Sequence, residues 1–316
     1  MYYVLLLIGF VLLIKGADFF VDGASSIATR LNVSPLLIGL TIVAFGTSAP
    51  ELAVSITSAL SGDNAIAIGN VLGSNIFNFL MVIGVSALIA PFAVDKDILA
   101  KEFPFTILAG IILFILGLDV ALQDQTMNVI SRADGILLLI FFSMFMYYLI
   151  ASALSNRDNG SDDDEIECMP MSKSILMSIG GALGIVLGGD MVVNNASEIA
   201  LIWGMSEGLV GLTIVAIGTS LPELVTSVTA AKKGQSDMAL GNVIGSSIFN
   251  IFLILGVSTA INPIPLNSDI FIDIFFMIAV IVTAYIFALT GKKINRPEGG
   301  FFVASYACYM VYILMR

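Results

Sequence analysis

Residues 39–52 read Gly-Leu-Thr-Ile-Val-Ala-Phe-Gly-Thr-Ser-Ala-Pro-Glu-Leu, and from Gly211 the chain reads Gly-Leu-Thr-Ile-Val-Ala-Ile-Gly-Thr-Ser-Leu-Pro-Glu-Leu. Glu51 and Glu223 are thus 172 positions apart (223 − 51), and that offset carries Gly16 to Pro91 onto Gly188 to Pro263 without a gap, roughly half the aligned residues being identical. The chain is a duplicated half. Each copy places a carboxylate, two hydroxyls and a proline inside an otherwise apolar helix.

That setting is a membrane. The chain has 316 residues, 58% of them hydrophobic and only 12% charged, and its mean hydropathy of +1.01 excludes a soluble globular domain of this length. A spanning helix needs about 20 predominantly apolar residues. Ten stretches qualify, at roughly 2–28, 35–60, 65–89, 98–118, 133–154, 173–200, 207–231, 238–260, 269–290 and 299–315. Five fall in each half. Because five is odd, the second copy enters the membrane from the opposite side. The expected fold is therefore an all-α membrane protein, with ten transmembrane helices in two inverted-topology five-helix repeats and broken helices at the midplane. The repeats occupy residues 1–154 and 173–316, joined by an acidic linker at 155–172.

Basic residues in short loops set orientation. One set of alternate loops carries Arg30, Lys96, Lys101, Arg157, Lys173, Lys232, Lys233, Lys292, Lys293 and Arg296, against Arg132 and Arg316 on the other side. The first side is expected to be cytoplasmic, with the 155–172 linker on it and both termini outside the cell membrane. The apolar start lacks a basic region and runs into a repeat element, which argues against a cleaved signal peptide. The net charge of −11 is concentrated in the linker run Ser161-Asp-Asp-Asp-Glu-Ile-Glu167 and in loop ends. That run lacks the spaced ligands and turn glycine of a calcium loop, so it reads as a solvated linker.

Ionisable residues deep in a bilayer cost at least a few kcal/mol each and persist mainly where they face a cavity or a ligand. Pro50 and Pro222 each remove a helical donor just before Glu51 and Glu223, disrupting the turns at Gly46-Thr47 and Gly218-Thr219. Thr47, Ser48 and Ser55 stand at −4, −3 and +4 from Glu51, which is one face of a helix, and Thr219, Ser220 and Ser227 repeat the pattern around Glu223. The next span of each half adds Gly69-Asn-Val-Leu-Gly-Ser-Asn-Ile-Phe-Asn78 and Gly241-Asn-Val-Ile-Gly-Ser-Ser-Ile-Phe-Asn250. There Ser74 and Asn78, like Ser246 and Asn250, lie one turn apart, and the glycines allow close helix packing. Asn70 and Asn242 suit either packing or support of the site. Asp18 and Asp190, also repeat-equivalent, read as structural.

All these groups offer oxygen, the ligand of hard cations such as Ca²⁺ and Na⁺. Two carboxylates are neutralised by one Ca²⁺ or two Na⁺, the condition for a site that crosses loaded but not empty. Histidine is absent, and Cys168 and Cys308 make neither a disulfide framework nor a metal spacing. An intramembrane hydrolase is disfavoured because no nucleophile–base pair or zinc set accompanies the glutamates.

The paired GTSxPE and GSxxFN motifs resemble the alpha-repeats of the cation/calcium exchanger superfamily, in particular the prokaryotic sodium/calcium exchangers. The match covers both repeats. The resemblance implies that Glu51 and Glu223 hold ions at the midplane, with Thr47, Ser48, Ser74 and Asn78 from the first half and Thr219, Ser220 and Ser246 from the second. It adds the backbone carbonyls of Ala44, Thr47, Ala216 and Thr219. It also implies that spans 1 and 6 slide across the other eight to switch access. Asn250 stands where part of the family has aspartate, which argues against potassium transport and leaves two carboxylates at the centre. The expected function is a Na⁺/Ca²⁺ antiporter of the cell membrane, electrogenic and functional as a monomer. Its ligands are transported Na⁺ and Ca²⁺ and membrane lipid, with no enzyme activity, cofactor or nucleic acid. A proton-coupled Ca²⁺ exchanger is the alternative within the class, and a cation channel the alternative outside it.

Overall fold

A computed structural model describes residues 1–62, 64–157, 169–204 and 216–315. The first helix, α1 (Tyr2–Leu31), stops where Asn32 turns left-handed at φ 51° and its N–H reaches back to the carbonyls of Ala28 and Thr29. Ser34 then caps the next helix, accepting from the Leu37 N–H at 3.3 Å, with Pro35 at the first helical position. This helix, α2 (Pro35–Thr47), passes through a π-helical turn at Gly39–Val43 and ends at Ser48. The chain resumes as α3 (Ala49–Ser61), bent from α2 by 49°. Pro50 cannot donate across the junction, and Ser48 at φ −82°, ψ 6° absorbs the bend.

The first half continues through α4 (Ile66–Ile89), α5 (Ile98–Leu116) and α6 (Arg132–Leu154). The second half comprises α7 (Met171–Ile202), α8 (Ala216–Thr219), α9 (Leu221–Lys232), α10 (Ser236–Ile261), α11 (Ser268–Gly291) and α12 (Arg296–Met315). Among the described residues, eight helices are long and apolar enough to cross a membrane, or nine with the bent pair α2–α3. The protein is an all-α, multi-pass membrane protein. Of the ten expected spans, 35–60 is the bent pair and 207–231 is described only from Ala216. Residues 205–215 and residues 158–168 of the expected linker lie outside the described residues.

The bundle is layered by burial. The apolar windows of α4 and α10 are 72% and 78% buried, whereas that of α12 is 11% buried. The helices carrying the two GSxxFN motifs are thus the centre, and the exposed leucines, isoleucines and valines of α1 and α7 form an outer apolar surface suited to lipid.

The two halves are interlaced rather than side by side. In the first half, α6 packs against α10 where Gly135 meets Thr259 and the Gly256 carbonyl, while Arg132 donates to the Ile261 carbonyl at 3.3 Å. In the second, α12 packs against α4 where Gly299 meets the Gly84 carbonyl and Ala87, while Arg296 donates to the Leu88 carbonyl at 3.1 Å. Two short antiparallel ladders also cross between halves: β1 (Phe92–Ala93) pairs with β4 (Lys293–Ile294), and β2 (Asn128–Ile130) with β3 (Ile264–Leu266). Ile130 pairs with Ile264, and Phe92 with Ile294. These ladders are absent from the sequence reading because two or three residues carry no periodicity.

The pair α1 and α7 runs antiparallel along a seam of glycines seven residues apart. Gly9 faces Met191 and Val192, Gly16 faces Gly181 and Ile185, and Gly23 faces Ser174 and Ser178. With no side chain between them the backbones approach closely, which is how helices associate where lipid removes the hydrophobic drive. A Cβ at Gly181 would lie 2.5 Å from the Phe20 nitrogen. Gly181→Val is therefore expected to destabilise the detergent-solubilised protein by about 1–3 kcal/mol through overpacking. Thermal unfolding measures this, and an unchanged melting temperature would contradict a seam this close.

Candidate ion site

The site is built where the two helix breaks face each other inside α4 and α10. At an ordinary helix start, a serine in the position of Ser48 or Ser220 accepts from the first-turn N–H groups. Neither does so here. The Ser48 hydroxyl donates to Glu223 Oε1 at 3.1 Å, and the Ser220 hydroxyl to Glu51 Oε1 at 3.2 Å. Each carboxylate sits in the first turn of its own helix, at the positive end of the helix dipole, and takes its nearest serine hydroxyl from the other half.

This corrects the one-face reading of the sequence. The spacing from Ser48 to Glu51 places both on one face only if the helix is continuous. The 49° break turns Ser48 across the midline instead, and Ser220 does the same in reverse. Ser74 Oγ lies 3.5 Å from Glu51 Oε1 and 3.1 Å from Ser220 Oγ. Thr47 Oγ1 donates to Asn242 Oδ1 at 3.0 Å and lies 3.4 Å from Ser246 Oγ and 3.3 Å from the Ala44 carbonyl. That carbonyl also accepts the Ser48 N–H at 3.0 Å, so Ala44 is already engaged by its own helix. Thr219 ends α8 and is buried, and Ala216 opens α8 at the edge of the described chain.

Asn70 and Asn242 brace the breaks identically. Asn70 Nδ2 donates to the Glu51 carbonyl at 3.1 Å and to Ser55 Oγ at 2.9 Å. Asn242 Nδ2 donates to the Glu223 carbonyl at 3.4 Å and to Ser227 Oγ at 2.9 Å. Ser55 and Ser227 therefore belong to this bracing, away from the carboxylate oxygens. The glycine prediction holds for Gly241 and Gly245, which meet the backbone of Leu36 and Leu40. For Gly69 and Gly73 the equivalent segment, 208–212, lies outside the described residues.

What remains unbonded defines the chemistry. Glu51 and Glu223 are 0% and 1% exposed, and no salt bridge among the described residues reaches either. Glu51 Oε2, Glu223 Oε2, Asn78 Oδ1 and Asn250 Oδ1 are all buried without a hydrogen-bond partner. Both asparagines lie in π-helical turns, Asn78–Val82 and Phe249–Ile254, the kind of local distortion that recurs at functional sites. All four are oxygens of the kind a hard cation takes, two of them carboxylate; Glu102 Oε2 on α5 is a further buried carboxylate oxygen without a partner. No group of three His, Cys, Asp or Glu comes together among the described residues, so the charge available is that of two carboxylates.

The chain matches the sodium/calcium exchanger protein family over residues 1–151 and 173–315, on both sides of the linker. It belongs to the sodium/calcium exchanger family. The sodium/calcium exchanger MaX1 of Methanosarcina acetivorans is 34% identical over 341 residues, covering 98% of this chain and 97% of the relative. The inner membrane protein YrbG of Escherichia coli strain K12 is 36% identical over 266 residues, covering 82% and 79%. A solved structure of the sodium-calcium exchanger NCX_Mj, soaked with zero Na⁺ and Ca²⁺, superposes with a TM-score of 0.85 at 34% identity, over 99% of this chain and 98% of that one. At that coverage the likeness extends through both halves of this family member.

One contact has no counterpart in the sequence pattern. Asn75, fully buried, receives the Asn250 amide, a contact between halves that no spacing within one half discloses. Asp18, read as structural, does form ion pairs, at 3.5 Å to Lys15 and 3.6 Å to Lys233, with Asp22 closer to Lys233 at 2.8 Å; Asp190 is exposed on α7.

Glu51→Gln and Glu223→Gln each remove half of the formal charge facing a divalent ion. Taking one partner from a buried charge pair costs about 3–5 kcal/mol, so Ca²⁺ affinity is expected to fall on the order of 10²- to 10⁴-fold with the protein still folded. Calorimetric Ca²⁺ titration beside a thermal melt measures both. Retention of normal Ca²⁺ affinity by either variant would remove that glutamate from the site.

Proposed function

We propose that this chain is a secondary active antiporter that exchanges Na⁺ for Ca²⁺ by alternating access. The observation that carries the reading is the quartet of buried, unpartnered oxygens on Glu51, Glu223, Asn78 and Asn250. Two carboxylates with no fixed cation are costly to bury empty and are neutralised by one Ca²⁺ or two Na⁺. The site therefore favours movement when loaded. Ser48, Ser74, Ser220 and Ser246, with Thr47, Thr219 and the carbonyls at the breaks, add the neutral oxygens that either ion requires. Membership of the exchanger family, and likeness to the sodium/calcium exchangers MaX1 and NCX_Mj, support Na⁺ and Ca²⁺ as the pair.

In this reading the chain has ten spans in two inverted repeats, 1–154 and 173–316. The Ser48–Glu223 and Ser220–Glu51 bonds support it, since they are interchanged by the 172-residue offset. Access switches when α1 and α7, joined by their glycine seam, slide together across the remaining helices. The protein works as a monomer in lipid, with both termini outside and the linker in the cytoplasm. The proton-coupled and channel alternatives are separated from Na⁺/Ca²⁺ exchange by Ca²⁺ uptake into proteoliposomes under outward Na⁺, K⁺ or H⁺ gradients imposed in turn. Uptake driven by Na⁺ alone is expected, and uptake without any counter-ion gradient would indicate a channel.

The neutral oxygens suffice for a third Na⁺, so each cycle carries one net positive charge in the Na⁺ direction. An elementary charge crossing the membrane is driven by about 2.3 kcal/mol per 100 mV. Inside-negative potential should then accelerate Ca²⁺ extrusion against entering Na⁺. Potassium and valinomycin clamp the potential once K⁺ is known not to be carried, and flux indifferent to potential would mean electroneutral exchange.

Orientation is tested separately. A single cysteine placed in the 155–172 linker, in a background lacking Cys168 and Cys308, should react with impermeant maleimide only from the cytoplasmic side, and one at the C-terminus only from outside. The opposite pattern would reverse the topology.

A further inference from the structure

Asn75 lies fully buried on α4, three residues before Asn78. Its amide nitrogen lies 3.5 Å from the Ser247 carbonyl and 3.5 Å from Met277 Sδ, and its Oδ1 accepts from Asn250 Nδ2 at 3.0 Å. A backbone carbonyl and a thioether can only accept, so the nitrogen of Asn75 has to face them and its oxygen has to face Asn250. The Asn250 amide is fixed in turn. With its nitrogen drawn to Asn75, its Oδ1 is left buried and unpartnered.

The two ends of a carboxamide are opposite towards a cation. The oxygen attracts it, and the NH₂ repels it. A carboxylate in place of Asn250 would need no such orientation, since both of its ends are oxygen. The repeat itself does not supply this device twice: the position equivalent to Asn75 (75 + 172) is Ser247, whose hydroxyl donates to Val243 on its own helix at 2.8 Å.

We propose that Asn75 is a positioning residue that holds the carbonyl end of Asn250 towards the transported ion and thereby sets ion affinity. This rests on the assignment of Asn250 to the ion site made above. Asn75 itself touches no ion. It acts through one hydrogen bond.

Asn75→Ser tests the proposal with little risk to folding, because a serine there can bond its own helix, as Ser247 does. The expected result is a roughly tenfold rise in the Ca²⁺ concentration for half-maximal uptake, the order expected from one buried hydrogen bond, while the maximal rate in proteoliposomes changes by less than about twofold. Asn75→Ala should behave alike. In an Asn250→Asp background the penalty should vanish or reverse, since the Asn75 oxygen then faces a carboxylate. Ca²⁺-dependent thermal shift reads binding in the native protein, the Asn75 variants, Asn250→Asp and the double variants, with Glu51→Gln alongside. An equal loss in both backgrounds would make Asn75 a packing residue only and overturn the proposal, as would an unchanged affinity in the native background. The glutamate site is tested separately, and it fails if Glu51→Gln or Glu223→Gln binds Ca²⁺ normally.

Discussion

Glu51 and Glu223, buried at the helix breaks without a fixed counter-charge, constrain the rest of this protein. Taking a carboxylate out of water costs several kcal/mol even after the surroundings relax, and no lysine or arginine among the described residues offsets it at Glu51 or Glu223. The chain supplies partial compensation from what apolar helices can provide. The proline breaks create helix N-termini beside each glutamate, so backbone dipoles face the charge. The serines that would normally cap those termini give their hydroxyls to the carboxylates instead. One oxygen of each carboxylate remains unserved, and the proposed function gives that place to the transported cation.

The exchange of hydroxyls across the midline explains why the halves interlace. Ser48 can reach Glu223 only if the breaks of both copies meet at the centre, which requires the motif-bearing helices α4 and α10 to be innermost. The fifth long helix of each half then packs on the central helix of the other, Gly135 against Gly256 and Gly299 against Gly84. Arg132 and Arg296 close the C-terminal carbonyls of the opposite central helices, and the two ladders tie loops of one half to loops of the other. The acidic linker separates two copies in sequence. Neither copy buries its core alone.

The pair α1 and α7 is held to different standards. Its internal contact is a glycine seam with close backbone approach, whereas towards the breaks it meets its neighbours through side chains: the Phe20 ring faces Gly46, Val193 packs on Gly218, and Pro222 faces Gly189. Lys233 bonded to Asp22 is a charged tie from α1 to α9, and it is partly exposed, where such pairs contribute little.

The sequence by itself determined the class of the protein and the cast of its site. Hydropathy and length dictate spanning helices, since an apolar stretch of about 20 residues has no other stable form in lipid. The exact repetition of a proline followed by glutamate inside those helices identifies a polar centre, because only a ligand or cavity sustains ionisable groups there. Which half serves which carboxylate was decided by tertiary structure alone. Spacing along one helix assigns Ser48 to Glu51, and the 49° break reassigns it to Glu223. The same holds for Asn75, whose contact with Asn250 is set by the crossing of α4 and α10 and leaves no mark on the periodicity of either. Local pattern encodes which groups are buried, but the partner of a buried polar group is whatever the packing of distant helices brings within hydrogen-bond range.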